Sequence, residues 1–511
     1  MRCALVIPPW TPREVFPART AGAQLNYWQP LGTLYVAASL ERAGHEVRFL
    51  DGAFLSRERI AEELAAFQPR WVGVYATTFG WPAARQTARD VKARAPGAFL
   101  CAGGPYPIAA QERCLAEEDG FDAVVTGEGE RTVVELVERL GRGEPLAGVR
   151  GLVFRDGGRV TANAPRPLAT DLDDLPFPDR SLLGDAARYL PPPAMYRRKP
   201  VAVVLTSRGC NRRCIFCFQL DKERRSGIRY RSVDSVLSEI EACLRQGYRE
   251  IKFIDDTFAA DRGRALQLAR EIRRRRLDFT WFASACVNQV DPELLQAFRE
   301  AGCWAILFGV ESGVQKNLNA LRKGITLQQA RDAVAWARRA GLRVQTTFVF
   351  GIPGETYQEA LRTIDFACEL DADMASFHAI VPFPGTHLHD HVREYGSLSE
   401  QLTDYTYQGA AFVPHTMTRD QIWQLRQRAF RTFYSRPAYL LRRLAGLRRW
   451  GDVQVALRSA RTLFWLWAGK DVFRMPGRKT TPATPAPPGL APGAPPPARP
   501  ALAEPATSGG G

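Results

Sequence analysis

Apolar and β-branched residues recur along the first 150 positions in short runs: Cys3 to Ile7, Val47 to Leu50, Trp71 to Tyr75, Phe99 to Ala102 and Ala123 to Thr126. Between them, over Leu31 to Ala43, Arg57 to Ala66, Ala83 to Ala95 and Arg131 to Leu140, the apolar positions return every three or four residues. The short runs predict strands and the longer period predicts helices, so their alternation predicts a doubly wound, Rossmann-like parallel sheet with helices on both faces. From Gly151 to Arg159 an apolar run, Asp156-Gly157-Gly158 and a polar run predict a β-hairpin. Leu175-Pro-Phe-Pro-Asp and Pro191-Pro192-Pro193 then break both periods, because successive prolines forbid helix and central strand alike.

Alternation resumes at Val201 to Leu205, followed by Val233 to Arg245, Glu250 to Ile254, Gly263 to Arg275, Thr280 to Ala285 and Pro292 to Ala301. It continues through Ala305 to Val310, Leu327 to Ala340, Arg343 to Phe350, Tyr357 to Leu370 and Met374 to Val381. Six such strands with the helices between them predict a partial (β/α)6 barrel with its functional residues at the strand carboxyl ends. Helical periods dominate from Asp420 to Lys470, and beyond Met475 a Pro, Ala, Gly and Thr composition predicts a disordered tail. The expected divisions are 1–150, a hairpin and linker over 151–199, a barrel over 200–395, a helical region over 396–475 and a tail over 476–511.

A length of 511 residues is too great for one ordinary core, and 45% hydrophobic content supports globular folding. The net charge of +15 permits nucleic acid, membrane or an anionic substrate without choosing among them. The spacings of zinc fingers and RNA-binding strands are missing, so no nucleic acid is expected. Of ten cysteines only three cluster, which excludes a disulfide scaffold and predicts a reducing cytoplasm. No run approaches the roughly 20 apolar residues of a spanning helix.

The three clustered thiols are Cys210, Cys214 and Cys217, on the loop leaving the Val201 to Leu205 strand. Three thiolates can hold three irons of a 4Fe-4S cluster and leave the fourth open. Structural zinc, the alternative, wants four closed ligands, and no Cys or His lies between Cys217 and Cys243. Asp255, Asp256, Ser284 and Glu311 fall at predicted strand ends, as does the Gly351-Ile352-Pro353-Gly354-Glu355 turn. Carboxylates there are costly unless they meet a cation or hydroxyl, which argues for a polar ligand; helix N-caps are the structural alternative. In the first sheet the strand-end loops carry Leu31, Gly32 and Thr33, then Thr77 and Thr78, Gly103 and Gly104, and Gly127-Glu128-Gly129. Small residues at those ends let a backbone approach a nucleotide-sized ligand. His387, His389 and His391 predict a solvated loop or helix start rather than a metal site, with a proton donor the alternative. Cys286 and Cys303 read as small buried apolar residues. The basic amphipathic helices after Asp420 read either as a cap on the barrel or as a peripheral contact with the inner membrane face.

The Cys-x-x-x-Cys-x-x-Cys loop, with Phe216 before its last Cys, resembles the signature of radical S-adenosylmethionine (SAM) enzymes. The Pro30-Leu31-Gly32, Ala43-Gly-His-Glu-Val47, Gly103-Gly104-Pro105 and Gly127-Glu-Gly-Glu130 segments resemble a cobalamin-binding domain placed ahead of such a barrel. The resemblance implies that Cys210, Cys214 and Cys217 hold the cluster. It implies SAM contacts from Phe216, Asp255, Asp256, Ser284, Glu311, Gly351, Ile352 and Gly354. Cobalamin would lie on Leu31, Gly32, Thr33, Thr77, Thr78, Gly103, Gly104, Gly127, Glu128 and Gly129. Pro8-Pro9-Trp10 stands where cobalamin mutases carry a histidine loop, and His45 lies at the wrong end of the sheet, so the cofactor is expected base-off with no His ligand. The implied activity is cleavage of SAM to a 5'-deoxyadenosyl radical and methylation of an unactivated carbon of a small-molecule or lipid-like substrate. An electron donor such as flavodoxin or ferredoxin is implied. The alternatives are a ring-forming radical enzyme resembling anaerobic porphyrin-ester cyclases, and a non-catalytic iron-sulfur or cobalamin carrier or sensor.

Overall fold

The computed structural model describes residues 1–11, 14, 27–116, 120–192, 195–221, 226–407 and 409–445. The predicted tail and the Leu463 to Trp467 end of the predicted helical region lie outside the described residues. Strands β1 (Arg2–Ile7), β2 (Glu46–Asp51), β3 (Trp71–Tyr75), β4 (Phe99–Gly103) and β5 (Ala123–Val125) are parallel in the order β2-β1-β3-β4-β5. The order reverses between β1 and β3, which opens a crevice at their carboxyl ends. Helices α1 (Leu31–Arg42), α2 (Arg57–Phe67), α3 (Trp81–Arg94), α4 (Pro105–Ala110), α5 (Arg113–Ala116) and α6 (Gly129–Arg142) connect the strands. Alternate residues of one strand serve opposite cores: Val72 and Val74 pack with Ile60, Leu64 and Ala84, while Trp71 packs with Ala37, Leu40 and Leu136. The sheet is therefore covered on both faces, as the alternation predicts. Strand β6 (Leu152–Asp156) pairs antiparallel with β5, and β7 (Arg159–Ala162) with β6, so the hairpin completes the first sheet instead of standing apart as linker.

The connector docks through a buried polar knot. Arg180 donates to Glu239 at 2.6 Å and to the Val203 carbonyl at 2.6 Å, and Gln29 Oε1 accepts from Val203 N–H at 3.1 Å. Arg231 pairs with the other Glu239 oxygen. Removing one member would strand a buried charge, so the knot fixes where the two sheets meet.

In the second sheet β8 (Val201–Val204) is followed by a ribbon of β9 (Ser207–Arg208) and β10 (Arg229–Tyr230). Then come α7 (Val233–Arg245), β11 (Glu250–Phe253), α8 (Arg262–Arg274), β12 (Thr280–Ala285), α9 (Pro292–Glu300) and β13 (Cys303–Glu311). They are followed by α10 (Gln315–Ala320), α11 (Leu327–Arg339), β14 (Arg343–Phe350), α12 (Tyr357–Leu370) and β15 (Met374–Ala379). The six long strands are parallel in the order β8-β11-β12-β13-β14-β15, an open barrel. Ser232, Asp261, Asp291, Thr326 and Thr356 cap α7, α8, α9, α11 and α12 by accepting from a first-turn N–H. Ile251, Phe253, Trp281, Phe308 and Phe348 face the helices, which turns Glu250, Lys252, Phe282 and Ser284 into the lumen. Buried Glu250 closes the lower end, accepting from Trp304 Nε1 at 2.5 Å and from the N–H groups of Arg197 and Arg198.

Two short helices, α13 (His387–Asp390) and α14 (Val392–Tyr395), and a ribbon of β16 (Gly396–Leu398) and β17 (Phe412–Pro414) follow. Helix α15 (Arg419–Tyr434) buries Ile422, Leu425, Ala429 and Phe433 in the barrel core, and Tyr434 bonds the Ala375 backbone. In α16 (Pro437–Ala445) Arg442 forms an ion pair with Asp371. Over these residues the cap reading holds.

Candidate active site

The cysteine loop is held at both ends. Asp255, just after β11, accepts from Thr206 N–H at 3.1 Å, from Thr206 Oγ1 at 2.7 Å and from Ser207 Oγ. Gly209 has φ of +98°, and a Cβ there would meet the Gly227 carbonyl at 2.7 Å, so only glycine lets the ribbon close before Cys210. Farther along, Ile215 N–H donates to Leu321 O at 3.1 Å, and Leu388 N–H donates to Ile215 O at 2.8 Å. Cys214 is buried, Cys217 is exposed, and none of the three is tied up in a disulfide. Its hydrogen bond with Cys214 pushes the Cys217 thiol up from its ordinary pKa. Among the described residues no three His, Cys, Asp or Glu side chains converge as on a single ion. A cluster needs no such convergence, because each thiolate takes a different iron.

The residues expected around SAM share this rim. The second Asp255 oxygen, Oδ2, is buried with no hydrogen-bond partner among the described residues, an acceptor suited to an ammonium group. Asp256 is exposed. Glu311 ends β13 with φ of +72°, a strained conformation for a non-glycine residue, after a register shift beyond Gly309. Its Oε1 lies 2.7 Å from Lys323 Nζ, with the two side chains 9% and 13% exposed. Burial opposes the charge on Lys323, but Glu311 and Cys214 override it and hold its pKa above the ordinary value. A Cβ on Gly309 would meet Glu311 Oε1 at 2.5 Å and Lys323 Nζ at 3.0 Å, so this glycine makes the room for the pair. Lys323 carried no sequence signal: it sits twelve residues past Glu311 and meets it only because α10 folds back over the rim.

Gly351 and Gly354 both have positive φ, and Glu355 ties the turn by accepting from Gly351 N–H at 2.8 Å and Ile352 N–H at 3.2 Å. Burial pushes the Glu355 carboxyl up to about 8 despite those bonds. Ile352 is wholly buried in an apolar cluster with Ile215, Leu321 and Val349, against which Phe216 packs. These two residues support the loop by packing. Ser284 accepts from Lys252 Nζ at 3.4 Å.

On the first sheet, Cβ atoms on Gly32, Gly103 or Gly127 would project into open space, which is the cradle a flat ligand needs. Gly104 is required by packing instead: its Cβ would meet the Ala76 carbonyl at 2.7 Å. Thr77 Oγ1 accepts from Gly80 N–H, Thr33 and Thr78 are buried, and Leu31 packs with Tyr35, Leu172 and Val203. Gly129 begins α6, where a Cβ would lie 3.2 Å from Val36.

Glu128 has another occupation. Its carboxylate lies 3.1 Å from Arg208 and 2.8 Å from Arg229 and also accepts from Ala169 N–H, while Glu130 lies 2.5 Å from Arg208. Burial resists ionisation, yet the two arginines hold Glu128 below the ordinary carboxylate range. Arg208 is two residues before Cys210, so the loop after β5 is ion-paired to the start of the cysteine loop.

The three histidines form a helical turn: the His387 and His391 rings stack at 4.2 Å, and His389 lies 3.5 Å from Asp390. Thr386 caps this turn, which Leu388 ties to the cysteine loop. Cys286 and Cys303 are buried, and His45 bonds the chain's amino terminus at 3.2 Å, away from the site.

Residues 204–367 match the radical SAM superfamily and residues 21–137 the B12 binding domain. An uncharacterized methyltransferase of Pyrococcus horikoshii is 35% identical over 450 residues, covering 86% of this chain and 94% of the relative. The anaerobic magnesium-protoporphyrin IX monomethyl ester cyclase of Cereibacter sphaeroides is 27% identical, covering 82% of this chain and 69% of that protein. The radical SAM methyltransferase TsrM of Kitasatospora setae, solved with cobalamin and a [4Fe-4S] cluster, superposes with a TM-score of 0.62 at 22% identity over 77% of this chain and 74% of its own. The chain belongs to the family of radical SAM proteins that carry a B12 binding domain. It is a radical SAM enzyme whose cofactors are a 4Fe-4S cluster, SAM and cobalamin. Three cysteines outside any disulfide on a pinned loop, the unmatched Asp255 oxygen and the open glycine edges of the first sheet fit that set.

Proposed function

We propose that the enzyme transfers a methyl group to an unactivated carbon of a small molecule. The observation that carries this reading is the ion-paired contact between the Gly127 to Glu130 loop and the cysteine loop, which ties the cobalamin face of one sheet to the cluster rim of the other. Bound together, the cofactors supply reductive SAM cleavage and a transferable methyl group. In this reading Cys210, Cys214 and Cys217 hold three irons, and Asp255 Oδ2 receives the SAM amino group. Glu311 and Lys323 form a fixed charge pair beside it, and Gly351 to Gly354 give backbone access to a flat base. The open glycine edges would hold cobalamin, and the Pro8-Pro9-Trp10 loop would offer it no imidazole. Reduction draws on an external donor of the flavodoxin or ferredoxin type. Similarity to the methyltransferase of Pyrococcus horikoshii over 94% of that protein favours this chemistry. Similarity to the ester cyclase supports a second reading, radical ring formation without methyl transfer.

One assay separates them. The anaerobically reconstituted enzyme is given SAM and reductant, and 5'-deoxyadenosine and S-adenosylhomocysteine are quantified. Both products are expected; 5'-deoxyadenosine alone would favour the cyclase-like reading, and neither would overturn the enzymatic reading. Cys214→Ala is the control and should abolish cluster absorbance and both products.

A further inference from the structure

Lys252 is the second residue of the lumen face of β11, one step above the Glu250 floor. The side chain is 7% exposed. Its ammonium sits over the Phe282 ring, 3.2 Å from the centroid, and reaches Ser284 Oγ at 3.4 Å. Among the described residues no carboxylate lies within ion-pair distance of it. Glu250, on the same face, is already engaged by Trp304 and two backbone N–H groups, and Asp255 is turned to Thr206 and Ser207. Asp255 and Cys303 are the titratable groups that act on the amine, and both favour its charge. Burial outweighs them and pushes the Lys252 pKa well down from its ordinary value.

A buried amine without a counter-charge is costly, and an apolar side chain would fill the same volume more favourably. The other lumen residues of this level need no amine: Val203 and Phe282, which flank Lys252 in register, are apolar. Ser284, whose hydroxyl accepts from the amine, is itself at the strand end that faces the rim. An ammonium beside a hydroxyl, inside a barrel whose open end carries the cluster loop, is a receptor for an oxyanion.

We propose that Lys252, with Ser284, receives a carboxylate or phosphate group inside the barrel. Two sources share that chemistry: the methionine carboxylate of SAM, or an anionic group on the molecule to be methylated. Assigning the group to a substrate rests on the methyltransfer reading above; the existence of the oxyanion site does not.

The test uses reconstituted, cobalamin-loaded enzyme, wild type and Lys252→Met. Inorganic phosphate and SAM are titrated separately by calorimetry in two buffers of different ionisation enthalpy. In parallel, labelling of Lys252 in the wild type by a small amine-acylating reagent is read by mass spectrometry with and without each ligand. The expected result is one phosphate per chain with proton uptake, at least tenfold weaker in the Met variant, and protection of Lys252 from the label. SAM affinity unchanged within twofold would then assign the site to a substrate anion. A tenfold loss of SAM affinity, with SAM displacing phosphate, would assign it to the SAM carboxylate. If neither ligand distinguishes the two proteins and neither protects the amine, Lys252 is a lumen filler and the proposal fails. The labelling arm needs no variant, so it stands even if the substitution disturbs folding. A failure of the methyltransfer reading is seen separately, as SAM cleavage without S-adenosylhomocysteine.

Discussion

The Glu311 and Lys323 pair at the rim gives a quantitative test of how the site is held together. Replacing Lys323 by Met keeps the length and apolar volume of the side chain and removes only its charge. The oppositely charged atoms are 2.7 Å apart. At that separation an effective dielectric constant of about 20 gives an attraction of about 6 kcal/mol. Desolvating two groups that are each about nine-tenths buried offsets several kcal/mol of this, leaving a net coupling of about 2–3 kcal/mol. Lys323→Met also strands the Glu311 carboxylate in the space above Gly309, so the single change should destabilise by about 3–5 kcal/mol. Glu311→Gln should cost less, since the amide still accepts from the ammonium. The double variant should recover most of the loss, because no unpaired charge remains. Urea unfolding of the four metal-free proteins closes the cycle. The raised Lys323 pKa contributes stability that is fully present below the unfolded value of about 10.4 and is lost only as pH rises through the still higher folded value. The coupling energy of the pair, unlike the stability of any one protein, should therefore be the same between pH 6 and 9. Additive single changes, with a coupling below about 0.5 kcal/mol, would refute the claim that the pair organises the rim.

Two further outcomes follow from the same geometry. Glu128→Gln leaves Glu130 on Arg208 but takes the carboxylate from Arg229; it should lower stability by about 2–3 kcal/mol in urea unfolding and broaden the cluster's electron paramagnetic resonance signal, and a stability change under about 0.5 kcal/mol would refute the linkage between the loops. Glu355, with its pKa raised to about 8, binds a proton in the fold that the unfolded chain releases near pH 4.3. Its contribution is thus complete below about pH 4.3 and lost as pH rises through about 8, so wild type should lose urea stability across that window and Glu355→Gln should flatten the slope; parallel slopes would refute it.

Much of this architecture was legible from periodicity, because a two-residue alternation and a three-to-four-residue period cannot exchange without exposing a core face. Strands Trp71–Tyr75, Thr280–Ala285 and Arg343–Phe350 fall where the apolar runs place them. The hairpin after Gly151 was legible as a hairpin but not as part of the first sheet, since pairing to β5 depends on an edge that is formed elsewhere in the chain. Strand-end polarity located Asp255, Glu311 and the Gly351 turn. It could not tell which Asp255 oxygen pins Thr206 and which is left over. Lys323 and Lys252 escaped for opposite reasons. One is an ordinary lysine between Arg322 and Gly324, and the other a polar residue inside an apolar strand whose facing direction only the register reveals. Glu128 reads in sequence as part of a ligand loop because it stands between two glycines; its arginine partners are 80 and 101 residues away.

Arg208 and Arg229 also bear on how far the two halves can be treated as interchangeable modules. Cut free of the first sheet, the barrel would present two partly buried guanidinium groups to solvent, and the first sheet would present Glu128 and Glu130. A chimera pairing this barrel with another cobalamin domain therefore has to bring an acidic residue at both positions of the loop after the fifth strand. Recombination between relatives is confined to partners that preserve this charge match, and the boundary drawn by the prolines around Pro191 is a seam in the chain but not in the enzyme.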